Sequence, residues 1–304
     1  MHEFLKTSGE GPSVLCLGET MALVAPADAE PLETAQSFIL SAGGAESTVA
    51  LYLAGAGHRT AWLSRVGNDP LGRRLLRQLQ AHGVDTSLVS ADSGAPTGVY
   101  FKDPGESATT VYYYRSGSAA SRMGSSALDV IDWAGLPLLH LSGITAGLSP
   151  SCRAMLDTAF TTARAHGTCV SFDVNHRPGL WSAEEAGPVL ADYARQADIV
   201  FVGRDEAETL WGTGDPDKLY ESLGAPRHLV VKDGAVGATD VSATGAVFVP
   251  AHAVEVVEVV GAGDAFAAGY LSGLLTGEQP GARLALGHAV ATRALSSVHD
   301  FDLV

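Results

Sequence analysis

The sequence predicts an α/β protein with a mostly parallel central sheet, helices on both faces, and a small β-sheet lid. Three observations predict it. Short apolar runs alternate with segments of helix length over most of the chain. Capping residues and glycine stops bound several of those segments. Two stretches, 21–40 and 97–115, carry strand patterns and turns with no helix between them. Strands that alternate with helices imply a parallel sheet covered on both sides, because each crossover lays a helix on one face.

The elements follow in order. VLCLGE (14–19) is the first buried strand, residues 45–53 have helical character, and TAWLSRVG (60–67) is the next strand. Asp69-Pro70 opens a helix, with an acidic N-cap, proline at the first helical position and Gly83 as the stop. After the lid stretch, LLHLSG (138–143) is a strand. Ser149-Pro150 caps a helix that ends at Gly167, and TCVSFDVN (168–175) is a strand. Ser182 and Glu185 have capping-box spacing. DIVFV (198–202) and HLVVKDG (228–234) complete the strand set. TGVYFK (97–102), a DPGE turn and TTVYYYR (109–115) make the second half of the lid. With no internal repeat, low-complexity tract or linker, residues 1–304 form one unit with the lid inserted.

Composition narrows the function. Against 34 Asp and Glu stand 19 Lys and Arg, a formal charge of −15, which disfavours nucleic acid or an anionic membrane as partner. If the substrates are anions, the few cations must gather where those anions sit. Cys16, Cys152 and Cys169 are far apart and form no CxxC pair, so they read as buried free thiols of a reducing compartment. No basic-then-apolar leader is present, and no apolar span reaches the roughly 20 residues of a membrane helix. The expectation is a cytoplasmic protein.

Six segments carry candidate chemistry, all at predicted strand ends on one edge of the sheet or on the lid. VVGAGDAFAAGYLSGLL (259–275) puts Gly261, Ala262 and Gly263 before a helix that is apolar nearly all round. Exposed N–H groups and the helix dipole at such an entry suit an anion. Asp264, in the first turn, is placed to accept a proton from an attacking hydroxyl; the plain alternative is a capping residue with glycines that only permit tight packing. SAGGAESTVALYLA (41–54) sets Gly43 and Gly44 where backbone can approach a ligand, or simply turn into a helix. On the lid, YYYRSGSA (112–119) sends Tyr113 and Arg115 to one face and Tyr112 and Tyr114 to the other. That is a wall for a sugar with a guanidinium able to pair a carboxylate, or an ordinary exposed aromatic strand. DVNHR (173–177) ends a strand, with Arg177 suited to an anion or to a surface salt bridge. GRDEAE (203–208) and KDGAVGA (232–238) follow the next two strands. No lysine (6, 102, 218, 232) sits in a Walker A setting, and GAG lacks the GxGxxG spacing of a dinucleotide fingerprint, which disfavours a nicotinamide oxidoreductase.

Together these segments resemble the ribokinase-like, PfkB-type carbohydrate kinases, from GE (18–19) through GG (43–44), GRDEAE and KDGAVG to GAGDAFAAGY (261–270). Within that family, YYYRSGSA, HLSGITAGLSP (140–150) and DVNHRPGLW (173–181) are similar to the 2-keto-3-deoxygluconate kinases. The resemblance implies Asp264 as catalytic base and Gly261, Ala262 and Gly263 as an anion hole. It implies Gly44, Tyr100, Tyr113, Tyr114, Arg115, Arg177 and Asp300 at the substrate, with Arg115 at a sugar-acid carboxylate. On the nucleotide side it implies Asn175, Arg177, Gly203, Lys232, Gly234, Gly237, Ala238 and His288, with Glu206 organising magnesium through water. ATP and Mg²⁺ are the implied cofactors, with a monovalent cation as a further candidate and a homodimer through the lid as the implied assembly. Three positions depart from the family pattern: Gly203 replaces an asparagine, Thr48 an asparagine and His176 a tyrosine. A kinase for a neutral sugar or nucleoside, or a non-catalytic sugar-binding module, are the competing expectations.

Overall fold

A computed structural model describes residues 11–28, 30–105, 109–252 and 261–296. The chain opens with β1 (Val14–Leu17), β2 (Met21–Pro26) and β3 (Phe38–Gly43), then α1 (Ala45–Gly55), β4 (Thr60–Leu63), β5 (Arg65–Gly67) and α2 (Pro70–Ala81). It continues through β6 (Ser90–Asp92), β7 (Val99–Asp103), β8 (Thr110–Tyr114), β9 (Leu138–Ser142), α3 (Gly143–Leu148), α4 (Pro150–His166) and β10 (Cys169–Asp173). The last part holds α5 (Ala183–Ala194), β11 (Ile199–Gly203), α6 (Arg204–Trp211), α7 (Pro216–Ser222), β12 (His228–Asp233), β13 (Gly237–Ser242), β14 (Gly245–Pro250), α8 (Ala262–Leu275) and α9 (Pro280–Leu295).

The main sheet has the order β14-β13-β12-β11-β10-β9-β1-β4. From β4 to β12 every neighbour pair is parallel, and β13 and β14 add an antiparallel hairpin at the edge. Alternation along each strand divides the core into two layers. Leu15, Leu17, Leu139, Leu141, Val200 and Val202 face one layer, with α4 and α5. Val14, Cys16, Leu138, Ile199 and Phe201 face the other, with α1 and α8. Helices therefore cover both faces, as the sequence predicts.

Local chemistry sets the helix ends. Asp69 Oδ1 accepts from Gly72 N at 2.8 Å with Pro70 in the first turn. Ser149 Oγ accepts from Cys152 N at 3.1 Å. Ser182 and Glu185 exchange both capping-box bonds at 3.2 Å. Each cap satisfies donors that a helix start otherwise leaves open, contributing about 1 kcal/mol.

The lid is a four-stranded sheet, β3-β2-β7-β8. The chain enters it after β1 and leaves after β3, then enters again at β7 and leaves after β8, so Glu19 lies at its first junction with the body and Arg115 at its last. The expected strand 60–67 is two strands, β4 in the main sheet and β5 paired with β6 in a separate ribbon. The β13–β14 hairpin is absent from the sequence expectation because β14 is exposed along nearly its whole length and so shows no apolar alternation.

Candidate active site

Helix α8 enters at Gly261, whose φ of 87° is left-handed, a conformation glycine adopts at little cost. No side chain caps this end, so the first-turn N–H groups of Ala262, Gly263 and Asp264 have no intrahelical acceptor. A Cβ at Gly263 would meet only Lys232 Nζ, at 3.5 Å. The residues expected as an anion hole thus form an open cradle of N–H groups beside an ammonium.

Around it the C-terminal ends of three parallel strands deliver charge. β10 ends at Asp173, β11 at Gly203, and β12 carries Lys232 in register with Gly203. Lys232 Nζ donates to Asp173 Oδ2 at 2.8 Å, and burial of the ammonium is outweighed by Asp173, Glu206 and Asp264, which hold its pKa above the ordinary value. The sequence expectation puts Lys232 on the nucleotide side; it lies at the end of β12, with its ammonium between Asp173 and the entry to α8. Glu206 is pinned by the chain: Oε1 accepts from His176 N, and Oε2 accepts from Gly203 N at 3.0 Å. Burial first, and Asp173 second, push its carboxyl pKa up.

Asp264 is the centre of this group. Its Oδ1 accepts from Asn175 Nδ2 at 3.3 Å, and Asn175 itself has a φ of 42°, a left-handed turn that asparagine tolerates. Burial raises the Asp264 carboxyl to about 7, with Asp173 adding to the rise while Arg177 and Lys232 oppose it. Arg177 is exposed and bonds only the His176 carbonyl, at 3.3 Å, among the described residues. A carboxyl that titrates near neutrality beside unpaired N–H groups and two cations can take a proton from an alcohol while the cations and amides hold phosphate oxygens.

On the lid, Tyr100 and Tyr113 are register partners with rings stacked at 5.6 Å, and the Arg115 guanidinium lies 5.7 Å from the Tyr113 centroid. Arg115 and Tyr113 share a face, as expected. Tyr114 does not join them: it is 67 % exposed on the opposite face, edge-on to Phe101. The Arg115 guanidinium is already engaged. Nε donates to Glu19 Oε2 at 2.7 Å and Nη2 approaches the same oxygen at 2.5 Å.

The remaining expected residues divide. Gly44 is packed rather than open, since a Cβ there would strike the Glu19 carbonyl, so this glycine serves the close passage of α1 beside the chain at Glu19 and Thr20. Ala238 is buried in β13 opposite Lys232. Gly234 and Gly237 shape the β12–β13 turn with positive φ. His288 Nε2 meets the Val249 carbonyl at 3.0 Å; a carbonyl only accepts, so that nitrogen carries the proton. Asp300 lies outside the described residues. Four buried carboxyls among the described residues were not singled out from the sequence: Glu19, Asp173, Glu46 and Asp240, the last bonded to His228 and Tyr270. Glu46 Oε1 accepts from Ser142 and Thr145 hydroxyls at 2.7 and 2.9 Å, Oε2 has no partner among the described residues, and burial raises its pKa.

Residues 12–300 match the family model described as pfkB family carbohydrate kinase. The chain belongs to the PfkB family of carbohydrate kinases. Among its relatives, a 2-dehydro-3-deoxygluconokinase of Thermoproteus tenax is 35% identical over 93% of this chain and 87% of its own. A 2-dehydro-3-deoxygalactonokinase of Haloferax volcanii is 33% identical over 95% and 92%. The crystal structure of a 2-dehydro-3-deoxygluconokinase from Thermotoga maritima superposes with a TM-score of 0.86 at 26% identity, covering 96% of each chain. The ribokinase-like fold and the lid expected from sequence are those of this PfkB kinase. Among the described residues no helix is long and apolar enough to cross a membrane.

Proposed function

We propose that this PfkB kinase transfers the γ-phosphoryl group of ATP to a primary hydroxyl of a 2-keto-3-deoxy sugar acid, 2-keto-3-deoxygluconate foremost. One observation carries the reading: a half-buried carboxyl raised to about 7, in the uncapped first turn of α8, between Lys232 and Arg177. The relatives named for 2-dehydro-3-deoxygluconate and 2-dehydro-3-deoxygalactonate support the substrate class.

In this mechanism Asp264 accepts the hydroxyl proton as the alcohol oxygen forms its bond to the γ-phosphorus and the bond to the β-phosphate oxygen breaks, releasing ADP. The amides of Ala262 and Gly263, with Lys232 and Arg177, stabilise charge on the oxygens in transit. Asn175 holds one oxygen of Asp264 and leaves the other to the substrate. No cluster of three or more metal-binding side chains occurs among the described residues. This suits a magnesium ion carried chiefly by phosphates and water, with the pinned Glu206 carboxylate nearby. Bound there, Mg²⁺ would neutralise phosphate charge. The lid contributes the Tyr100–Tyr113 wall, and the free edge of Arg115 takes the substrate carboxylate.

A neutral-sugar kinase is the second reading, favoured by one feature: Glu19 already neutralises Arg115. ADP release with Mg²⁺-ATP across sugar acids and neutral sugars separates the two. A neutral sugar turned over with higher kcat/KM than every acid refutes the acid assignment, and no ADP from any sugar refutes the kinase. Three parts of the reading rest on less. Exposed Phe38, Tyr112 and Tyr114 on the lid support a homodimer through that sheet, and three buried free cysteines support a cytoplasmic setting. Monovalent-cation activation is supported by family resemblance alone and is tested by exchanging K⁺ for tetramethylammonium.

A further inference from the structure

We propose that Glu19, braced by Ser118, is a positioning residue that orients Arg115 toward a substrate carboxylate and thereby sets preference for acid over neutral sugars; this rests on the sugar-acid reading above. A guanidinium has five N–H donors. Glu19 Oε2 engages the Nε–Nη2 edge, at 2.7 and 2.5 Å, leaving three N–H groups without a partner among the described residues. Arg115 is only 9% exposed, so water does not readily satisfy them. Buried, unpaired donors on a cation are costly until an anion arrives.

The brace is itself immobile. The Glu19 side chain is 0% exposed, and Oε1 accepts from Ser118 Oγ at 2.5 Å. Ser118 follows Arg115 by three residues, so the short segment after β8 supplies both partners. A carboxylate held by two groups of one segment fixes the guanidinium plane more firmly than a single ion pair. Glu19 also follows β1 directly, so the pair ties the lid's exit from the body to its return. The acid substrate then completes a carboxylate–guanidinium–carboxylate row, whereas a neutral sugar leaves the Nη1 edge unpaired. Such a site rejects the analogue that lacks the matching group more strongly than it rewards added apolar contact.

The test compares 2-keto-3-deoxygluconate with D-fructose, a neutral ketose, in wild type, Glu19→Gln, Ser118→Ala, Arg115→Ala and the Glu19→Gln/Arg115→Ala double variant, with melting temperature recorded for each. Expected for Glu19→Gln is a KM for the acid raised about 10- to 100-fold, the loss of a charge-assisted hydrogen bond, with kcat within about 3-fold. On fructose its kcat/KM should stay within about 3-fold, and the double variant should be no worse on the acid than Arg115→Ala. If Glu19→Gln does not fold, Ser118→Ala keeps the ion pair and should still raise acid KM about 3- to 10-fold. Equal losses on both substrates, or additive losses in the double variant, overturn the inference while the acid reading stands. A wild type that favours fructose overturns both.

Discussion

Replacing Asp264 with asparagine should stabilise the unliganded protein at alkaline pH while crippling turnover. The folded carboxyl is raised to about 7 from an ordinary 3.8, chiefly by burial. Between those values the folded protein keeps a proton that the unfolded chain has released. Stability from this group is therefore full below about pH 4, falls as pH rises, and is lost above about 7. At roughly 1.36 kcal/mol per pH unit, ionising Asp264 in place costs on the order of 2–4 kcal/mol above that point. Asn keeps the shape and never ionises. Thermal melts of wild type and Asp264→Asn without ligands, at pH 5 and pH 8.5, should differ by only about 2–3 °C at the lower pH, where roughly a third of that cost is already present. At the higher pH the variant should gain about 4–8 °C, at roughly 2 °C per kcal/mol for a chain of this length. Its kcat should fall by about 10²- to 10⁴-fold, the span of a general base. An offset that is the same at both pH values, or a variant less stable at pH 8.5, would refute the claim that a desolvated charge is held there for catalysis.

Four further outcomes follow from the same geometry. Lys232→Met should cut kcat/KM by about 10²-fold and destabilise by about 3–5 kcal/mol, because Asp173 loses its partner. Adding Asp173→Asn should restore the melting temperature but not the rate, which steady-state kinetics and melting together resolve. Gly263→Ala should melt within about 2 °C of wild type, since its methyl meets only Lys232 Nζ at ordinary contact distance, yet raise KM for ATP by placing a methyl at the cradle. Gly261→Ala at a φ of 87° should cost about 1–2 kcal/mol in urea melts. Glu206→Gln should raise the Mg²⁺ concentration for half-maximal rate about 10-fold, read by metal titration at saturating ATP.

The fold was largely legible because its signals are local. The caps at Asp69, Ser149 and Ser182 and the apolar strands from Val14 to Val231 each announce themselves within a few residues. What escaped depends on distant pairing. Residues 60–67 read as one strand because nothing in them shows that Thr60–Leu63 pairs with β1 while Arg65–Gly67 pairs with Ser90–Asp92. The exposed β14 is held by its register with β13, and its apolar run at 246–249 does not alternate, so it shows no period-2 signal of its own.

At the site, the residue types were legible and their charge partners were not. An excess of acids implied that cations would gather at anion sites, and Arg115, Arg177 and Lys232 do lie at the lid junction and the α8 entry. Yet Arg115 and Lys232 each arrive with a buried carboxylate, Glu19 from 96 residues away and Asp173 from 59. No short motif encodes such a pair, because the two members sit on or just beyond strands that only the tertiary fold brings together. The pairing also changes what the cations do. A free, mobile lysine would bind any anion at an entropic cost, whereas an ammonium anchored on Asp173 beside Gly263 is already in place. Each carboxylate lowers the net charge of its site and raises its order. The acidity of this chain is therefore compatible with anionic substrates: at these two cations, some of its carboxylates aim the positive groups that would bind them.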